Sequence, residues 1–254
     1  MKPTFLQYEK PLLCAMVLCS TPEMCIEKIK ASIVGGAEAI GIQLDHLKRE
    51  YRTKEIISEI FAACQGLPIY ATSYRTSESE GMTDDECAEL MLLALDCGAT
   101  LIDVTGDLYD KGAKYQLAAD PEAVAKQKAL ISEIHKRGGE VLISCHTKSN
   151  LTVEENVEMA KAHVERGADV IKIVNECNDK NEIPSYVESI QKIVAMTDAK
   201  LLFLVSGAGR LIRSIGPNLG VCMYLCVAWH GPKDTREQPV LASIKAVRDN
   251  IRFE

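Results

Sequence analysis

A chain of 254 residues that is 47% hydrophobic can bury a large core, and with aromatics at only 5% that core must be aliphatic. The net charge of −7 and the lack of a basic run exclude a nucleic-acid backbone as the main partner. No stretch reaches the roughly 18 uninterrupted apolar residues of a membrane span. Ten cysteines lie scattered through apolar segments, and no apolar stretch preceded by positive charge opens the chain. Buried thiols in a reduced, cytoplasmic protein are therefore expected rather than a disulfide framework or a secretory leader. Cys222 and Cys226 carry the only zinc-like spacing; without a second pair they read as core thiols.

The first apolar run is Pro11 to Ser20, followed by a helix that Thr21 caps and that stops at Gly35-Gly36. A hydroxyl satisfies free helix N–H groups, and glycine supplies the exit. Ala39 to Asp45 is the second strand, with a helix from about Thr53 to Cys64. Pro68 to Tyr74 is the third, before a helix opened by Thr83 with an acidic first turn and ended at Gly98. Ala99 to Val104 is the fourth, and Pro121 begins a helix reaching Gly138-Gly139.

Glu140 to Cys145 is the fifth strand. Thr152 and Glu155 then form a capping-box pattern on a helix ending at Gly167. Asp169 to Val174 and Lys200 to Val205 are the sixth and seventh strands, with a helix over Pro184 to Met196 between them. A short helix from about Arg210 to Ile215, an eighth strand over Gly220 to Val227 and a helix over Gln238 to Asn250 complete the chain. Eight strands alternating with helices predict an α/β protein with a parallel sheet. At this length the fit is a single (β/α)8 TIM barrel domain over residues 1–254. An open doubly wound sheet is the alternative, but Ser20 to Glu23 lacks its Gly-rich nucleotide turn.

In such a barrel, chemistry gathers at the C-terminal ends of the strands. Lys172 is the most informative residue there, a lysine between Ile171 and Ile173 in an apolar strand. Desolvation favours the neutral amine, which attacks carbonyls. The competing reading is an ion pair with a carboxylate such as Asp103 or Glu176. His146 ends the neighbouring strand, where an imidazole can shuttle protons near neutral pH. His135 and His163 sit late in helices and read as partners of the helix dipole. Ser206 to Arg213 could offer backbone N–H groups and guanidinium groups to an anion.

Ser144-Cys145-His146-Thr147 paired with Val170-Ile171-Lys172-Ile173-Val174 resembles type I 3-dehydroquinate dehydratase, a lyase that works through a Schiff base. The resemblance runs from Pro11 onward and implies that Lys172 forms the imine and His146 moves the protons. It further implies that Arg213 and Gln238 hold a substrate carboxylate, that Arg75 binds a substrate oxygen, and that Glu80 orients the histidine, with Glu78 a rival for that role. The family's strand two carries Glu-x-Arg-x-Asp. Here the stretch is Gly41-Ile42-Gln43-Leu44-Asp45, leaving Asp45 alone. Strand four offers Thr105 where the family has an acid, and Asp234 or Thr235 stands nearest the family's serine.

The expected function is a hydro-lyase of aromatic amino acid biosynthesis, the shikimate pathway. It would eliminate water from a carboxylated β-hydroxy ketone, 3-dehydroquinate or a relative. No metal and no organic cofactor are expected, because the imine is itself the electron sink. The expected partner is a small carboxylated substrate, with no nucleic acid and no membrane. A homodimer through outer helices is compatible with a barrel of this size. A Schiff-base aldolase and a catalytically silent metabolite-binding barrel are the alternatives.

Overall fold

Each apolar run becomes a strand in the computed structural model, which describes residues 3–232 and 234–251. In chain order the elements are β1 (Leu12–Val17), α1 (Pro22–Val34), β2 (Ala39–Gln43), α2 (Lys54–Ala62), β3 (Ile69–Thr72), α3 (Asp84–Asp96), β4 (Leu101–Thr105) and α4 (Pro121–Lys136). There follow β5 (Glu140–His146), α5 (Val153–Arg166), β6 (Val170–Cys177), α6 (Ile183–Met196), β7 (Lys200–Gly207), α7 (Ile212–Ile215), β8 (Met223–Cys226) and α8 (Leu241–Asp249). The strands form one parallel sheet in the order β7-β6-β5-β4-β3-β2-β1-β8, and a parallel Leu201–Val221 bridge joins β7 to the chain just ahead of β8. This is the (β/α)8 barrel fold. Among the described residues, no helix is long and apolar enough to cross a membrane.

The chain packs as two compact units. Among the described residues, one holds 3–103, 137–140, 224–232 and 234–251; the other holds 104–136 and 141–223. In the first, β1, β2 and β3 pair with Met16 opposite Gly41 and Gly41 opposite Tyr70. In the second, β5, β6 and β7 pair with Ser144 opposite Lys172 and Lys172 opposite Leu202. Ile171 and Ile173 on β6 are fully buried; each contributes about 1.5–3 kcal/mol by leaving water.

The helix starts follow the capping chemistry. Thr83 and Glu86 form a reciprocal capping box, as do Thr152 and Glu155, and Gly167 closes α5 in the left-handed conformation. Some boundaries move. β6 runs on through Cys177 because its parallel ladder with β7 continues over Asn175–Val205, Glu176–Ser206 and Cys177–Gly207. The Asn175 amide donates to Asn156 on α5 at 2.8 Å, which satisfies a polar side chain on the helix side of the sheet. α8 begins at Leu241 rather than Gln238. Pro239 disfavours a helical conformation for the residue before it, and Val240 is drawn into a parallel bridge with Val227.

One histidine also changes role. His163 does not act as a charged dipole partner: it is fully buried, burial lowers its pKa to about 3, and Nε2 meets Cys145 Sγ at 3.2 Å. His135 lies in the last turn of α4 as expected and also pairs with Asp169 at 2.8 Å. Cys222 and Cys226 are buried thiols.

Candidate active site

Side chains alternate across a strand, so partners in register share a face. Ser144 opposes Lys172, and His146 lies two positions beyond Ser144 on the same strand. Ser144, His146 and Lys172 therefore occupy one face of the β5–β6 pair. Asn175 projects from the other face toward α5. Lys172 is 3% exposed and Ser144 is fully buried.

His146 is held by a residue that the motifs do not reveal. Gln116, in the loop after β4, places Oε1 2.6 Å from the His146 backbone nitrogen and 3.1 Å from Nδ1. An oxygen that accepts the backbone N–H must also be the atom facing the ring, so Nδ1 donates and Nε2 keeps its lone pair. The imidazole pKa lies well below the ordinary histidine value, first because the ring is buried and then because Lys172, Arg213 and Lys148 repel a proton. A neutral ring with an unprotonated Nε2 is a base at neutral pH.

Arg213 is fixed at the end of β7. Its Nε donates to Val205 O at 2.9 Å and Nη2 to Ser206 Oγ at 3.2 Å. The Gly-rich turn before it is shaped by packing. At Gly207 (φ +68°) a Cβ would lie 2.5 Å from Cys177 O, and at Gly209 one would lie 2.6 Å from Val205 Cγ1. The Ala208 and Arg210 amides are already bonded to Cys177 O and Gly207 O. Those two backbone N–H groups are therefore already engaged within the fold, and the Arg213 guanidinium is anchored beside them.

The first unit carries the remaining predicted residues. Tyr70 and Tyr74 both donate their hydroxyls to Asp103 Oδ2. Burial and the Asp103 charge hold both phenols well above their ordinary pKa, so they remain donors. Arg75 is half-buried and ion-paired with Asp84 at the start of α3. Glu80 is exposed, and Glu78 and Glu80 both offer backbone carbonyls to Arg49. Gln238 is 7% exposed, its backbone carbonyl accepts from His230 Nε2 at 2.8 Å, and its Oε1 has no hydrogen-bond partner among the described residues. Thr235 is exposed and accepts from the Glu237 amide. Asp234 is buried in an ion pair with Lys28 of α1, so its carboxylate is already committed.

Asp45 is 1% exposed, and burial raises its pKa to about 6 against hydrogen bonds from the Tyr74 amide and the Thr76 hydroxyl. A carboxyl raised in the folded state takes up a proton that the unfolded chain refuses between about pH 4 and 6. Its contribution is therefore present in acid and lost as pH rises. Asp45→Asn should stabilise the protein at about pH 7–8 by on the order of 2 kcal/mol. The gain should vanish toward about pH 4, as read from chemical denaturation across that range.

A family model described as type I 3-dehydroquinase matches residues 13–249. The chain belongs to that family. As a dehydroquinase-family member it is a hydro-lyase, and the solved structures share its fold. Type I 3-dehydroquinate dehydratase from Clostridium difficile, solved with covalent modified comenic acid, superposes with a TM-score of 0.80 at 18% identity, covering 96% of this chain and 93% of that one. The 3-dehydroquinate dehydratase from Geobacillus kaustophilus gives 0.79 at 14% identity over 95% and 91%. The Enterococcus faecalis enzyme gives 0.77 at 16% over 98% and 99%. Among curated proteins, no sequence matches the chain.

The strand-two departure from the dehydroquinase motif has a structural counterpart. At Gly41, the position that the resemblance matches to the family's glutamate, a Cβ would overlap Met16 Sδ and lie 3.3 Å from Tyr70 Cδ1. Met16 is 1% exposed, so the space beside Gly41 is filled by a neighbouring apolar side chain. Gly41→Ala should cost about 1 kcal/mol through overpacking. A double-mutant cycle with Met16→Ala should remove most of that cost, because the two positions share one volume.

Proposed function

We propose that the chain is a Schiff-base dehydratase acting on a carboxylated β-hydroxy ketone, 3-dehydroquinate or a close relative. The observation that carries this reading is the buried Lys172 on one strand face with His146, whose ring is kept neutral. Lys172 Nζ adds to the ketone, and the carbinolamine loses water to give a protonated imine. His146 Nε2 removes a proton from the adjacent carbon, and the electron pair moves into the imine as an enamine. Collapse of the enamine expels the β-hydroxyl, which leaves as water with the proton from His146. Hydrolysis of the conjugated imine frees the enone and regenerates Lys172.

Arg213 takes the substrate carboxylate, a planar task suited to guanidinium, and resemblance assigns Gln238 to the same anion. The same resemblance assigns Arg75 to a substrate oxygen, Glu80 to the support of the histidine, and Asp45 and Thr235 to substrate recognition. The packing of Met16 against Gly41 favours a substrate less dependent on ring hydroxyls, since a site without its polar partner loses discrimination for them. The pathway would be aromatic amino acid biosynthesis and the compartment the cytoplasm.

Product analysis tests the reaction class. Water loss from a carboxylated β-hydroxy ketone gives an enone with new ultraviolet absorbance, the expected result. Two carbonyl fragments would mark an aldolase instead, and ligand-induced thermal stabilisation without turnover would mark a binding protein.

A further inference from the structure

We infer that Gln116 is the positioning residue for His146, supplying a neutral amide that selects the Nδ1–H tautomer. The inference rests on the proposed role of His146 as the proton-transfer base. This residue comes from the loop between β4 and α4, and its contact with the ring stands beside the role that the family motif assigns to Glu80.

The loop is built to deliver that amide. Gly106 opens it, and a Cβ there would overlap Cys145 Sγ and lie 2.6 Å from Gln116 O. Only glycine lets the loop backbone lie this close to β5. The Gly106 carbonyl accepts from the Ala118 amide at 2.8 Å, Gln127 Nε2 at 3.0 Å and Arg166 Nη1 at 3.1 Å. Arg166 also donates to Ala118 O and to Gln127 Oε1, so α4 and α5 clamp both ends of the loop. Tyr115 donates its hydroxyl to Glu155 in the capping box of α5 at 3.1 Å.

Tyr115 and Gln116 both hold φ at 57°, a left-handed conformation that non-glycine residues adopt only when surroundings impose it. The strained turn ends with Gln116 in contact with the end of β5. Its Oε1 receives the His146 amide and ring Nδ1, and its carbonyl receives Cys145 Sγ at 3.0 Å.

The neutrality of the amide has a chemical consequence. Among the described residues, Lys172 on β6, Arg213 on α7 and Lys148 beyond β5 act on the ring, and these three are cations. A carboxylate in place of the amide would offset them and stabilise the imidazolium. An amide orients the ring without doing so, which keeps the base unprotonated as the pH falls.

The test uses Gln116→Leu and Gln116→Glu in the full-length protein. Nitrogen-15 spectra of the His146 ring, assigned with a His146→Gln control, report tautomer and titration without substrate. Gln116→Leu should mix the two tautomers and lower kcat about tenfold or more while KM changes less than about twofold. Gln116→Glu should keep the Nδ1–H tautomer, raise the His146 pKa and move the acid limb of kcat/KM upward by about one unit or more. An unchanged tautomer in Gln116→Leu, or an unmoved titration in Gln116→Glu, overturns the inference. If the leucine variant does not fold, the glutamate variant alone decides. Failure of the wild type to trap any ketone would instead overturn the proposed function, and the ring spectra would still read the role of Gln116.

Discussion

Lys172→Met is expected to abolish turnover, with kcat/KM falling by at least about 10⁴-fold, or over about 5 kcal/mol of transition-state stabilisation. Methionine has a similar length and no nucleophilic nitrogen, so imine formation stops while the site keeps its volume. The fold should not suffer. Lys172 is 3% exposed between Ser144 and Leu202 in the sheet, and replacing a buried cation with an apolar side chain is often neutral or stabilising. Wild-type or higher Tm together with lost turnover identifies a residue retained for chemistry. A variant that unfolds, or one that keeps its activity, contradicts this assignment.

His146→Gln should lower kcat by about 10²–10⁴-fold, the usual contribution of a positioned acid–base group, while borohydride still captures an imine on Lys172. The split between retained adduct and lost turnover separates proton transfer from covalent attachment. The pH dependence has a definite sign. The folded pKa of His146 is depressed by burial and by the Lys172, Arg213 and Lys148 charges, so wild-type activity should persist below pH 6.5 before the base is protonated.

The same shift makes the protein acid-sensitive. Below about pH 6.5 the unfolded chain binds a proton that the folded one refuses, so stability falls as pH falls. His163 adds to this effect down to its pKa of about 3, at about 1.4 kcal/mol per pH unit.

The strands are legible in the sequence because each is a short apolar run between helical segments with recognisable caps. Lys172 stands out because a cation in an apolar strand is anomalous, and His146 because it ends the next strand. Gln116 carries no such signal. It lies in an aperiodic loop, and only the geometry set by Gly106, Gln127 and Arg166 brings it to the ring.

Read along the chain, His163 resembles a helix-end cation. In the fold it belongs to the buried stripe of α5 with Val153, Asn156 and Ala160, and that stripe leaves it no water. The exchange between Gly41 and Met16 needs the register that sets them opposite each other. A sequence shows the missing glutamate but not what fills its place.

The most direct measurement of the central claim is borohydride reduction of the wild-type protein in the presence of 3-dehydroquinate and a panel of carboxylated β-hydroxy ketones. The site of modification is then mapped by peptide mass spectrometry. A reduced secondary amine is expected on Lys172 and on no other lysine, lost in Lys172→Met. Absence of an adduct with every ketone, or an adduct confined to another lysine, would contradict the claim.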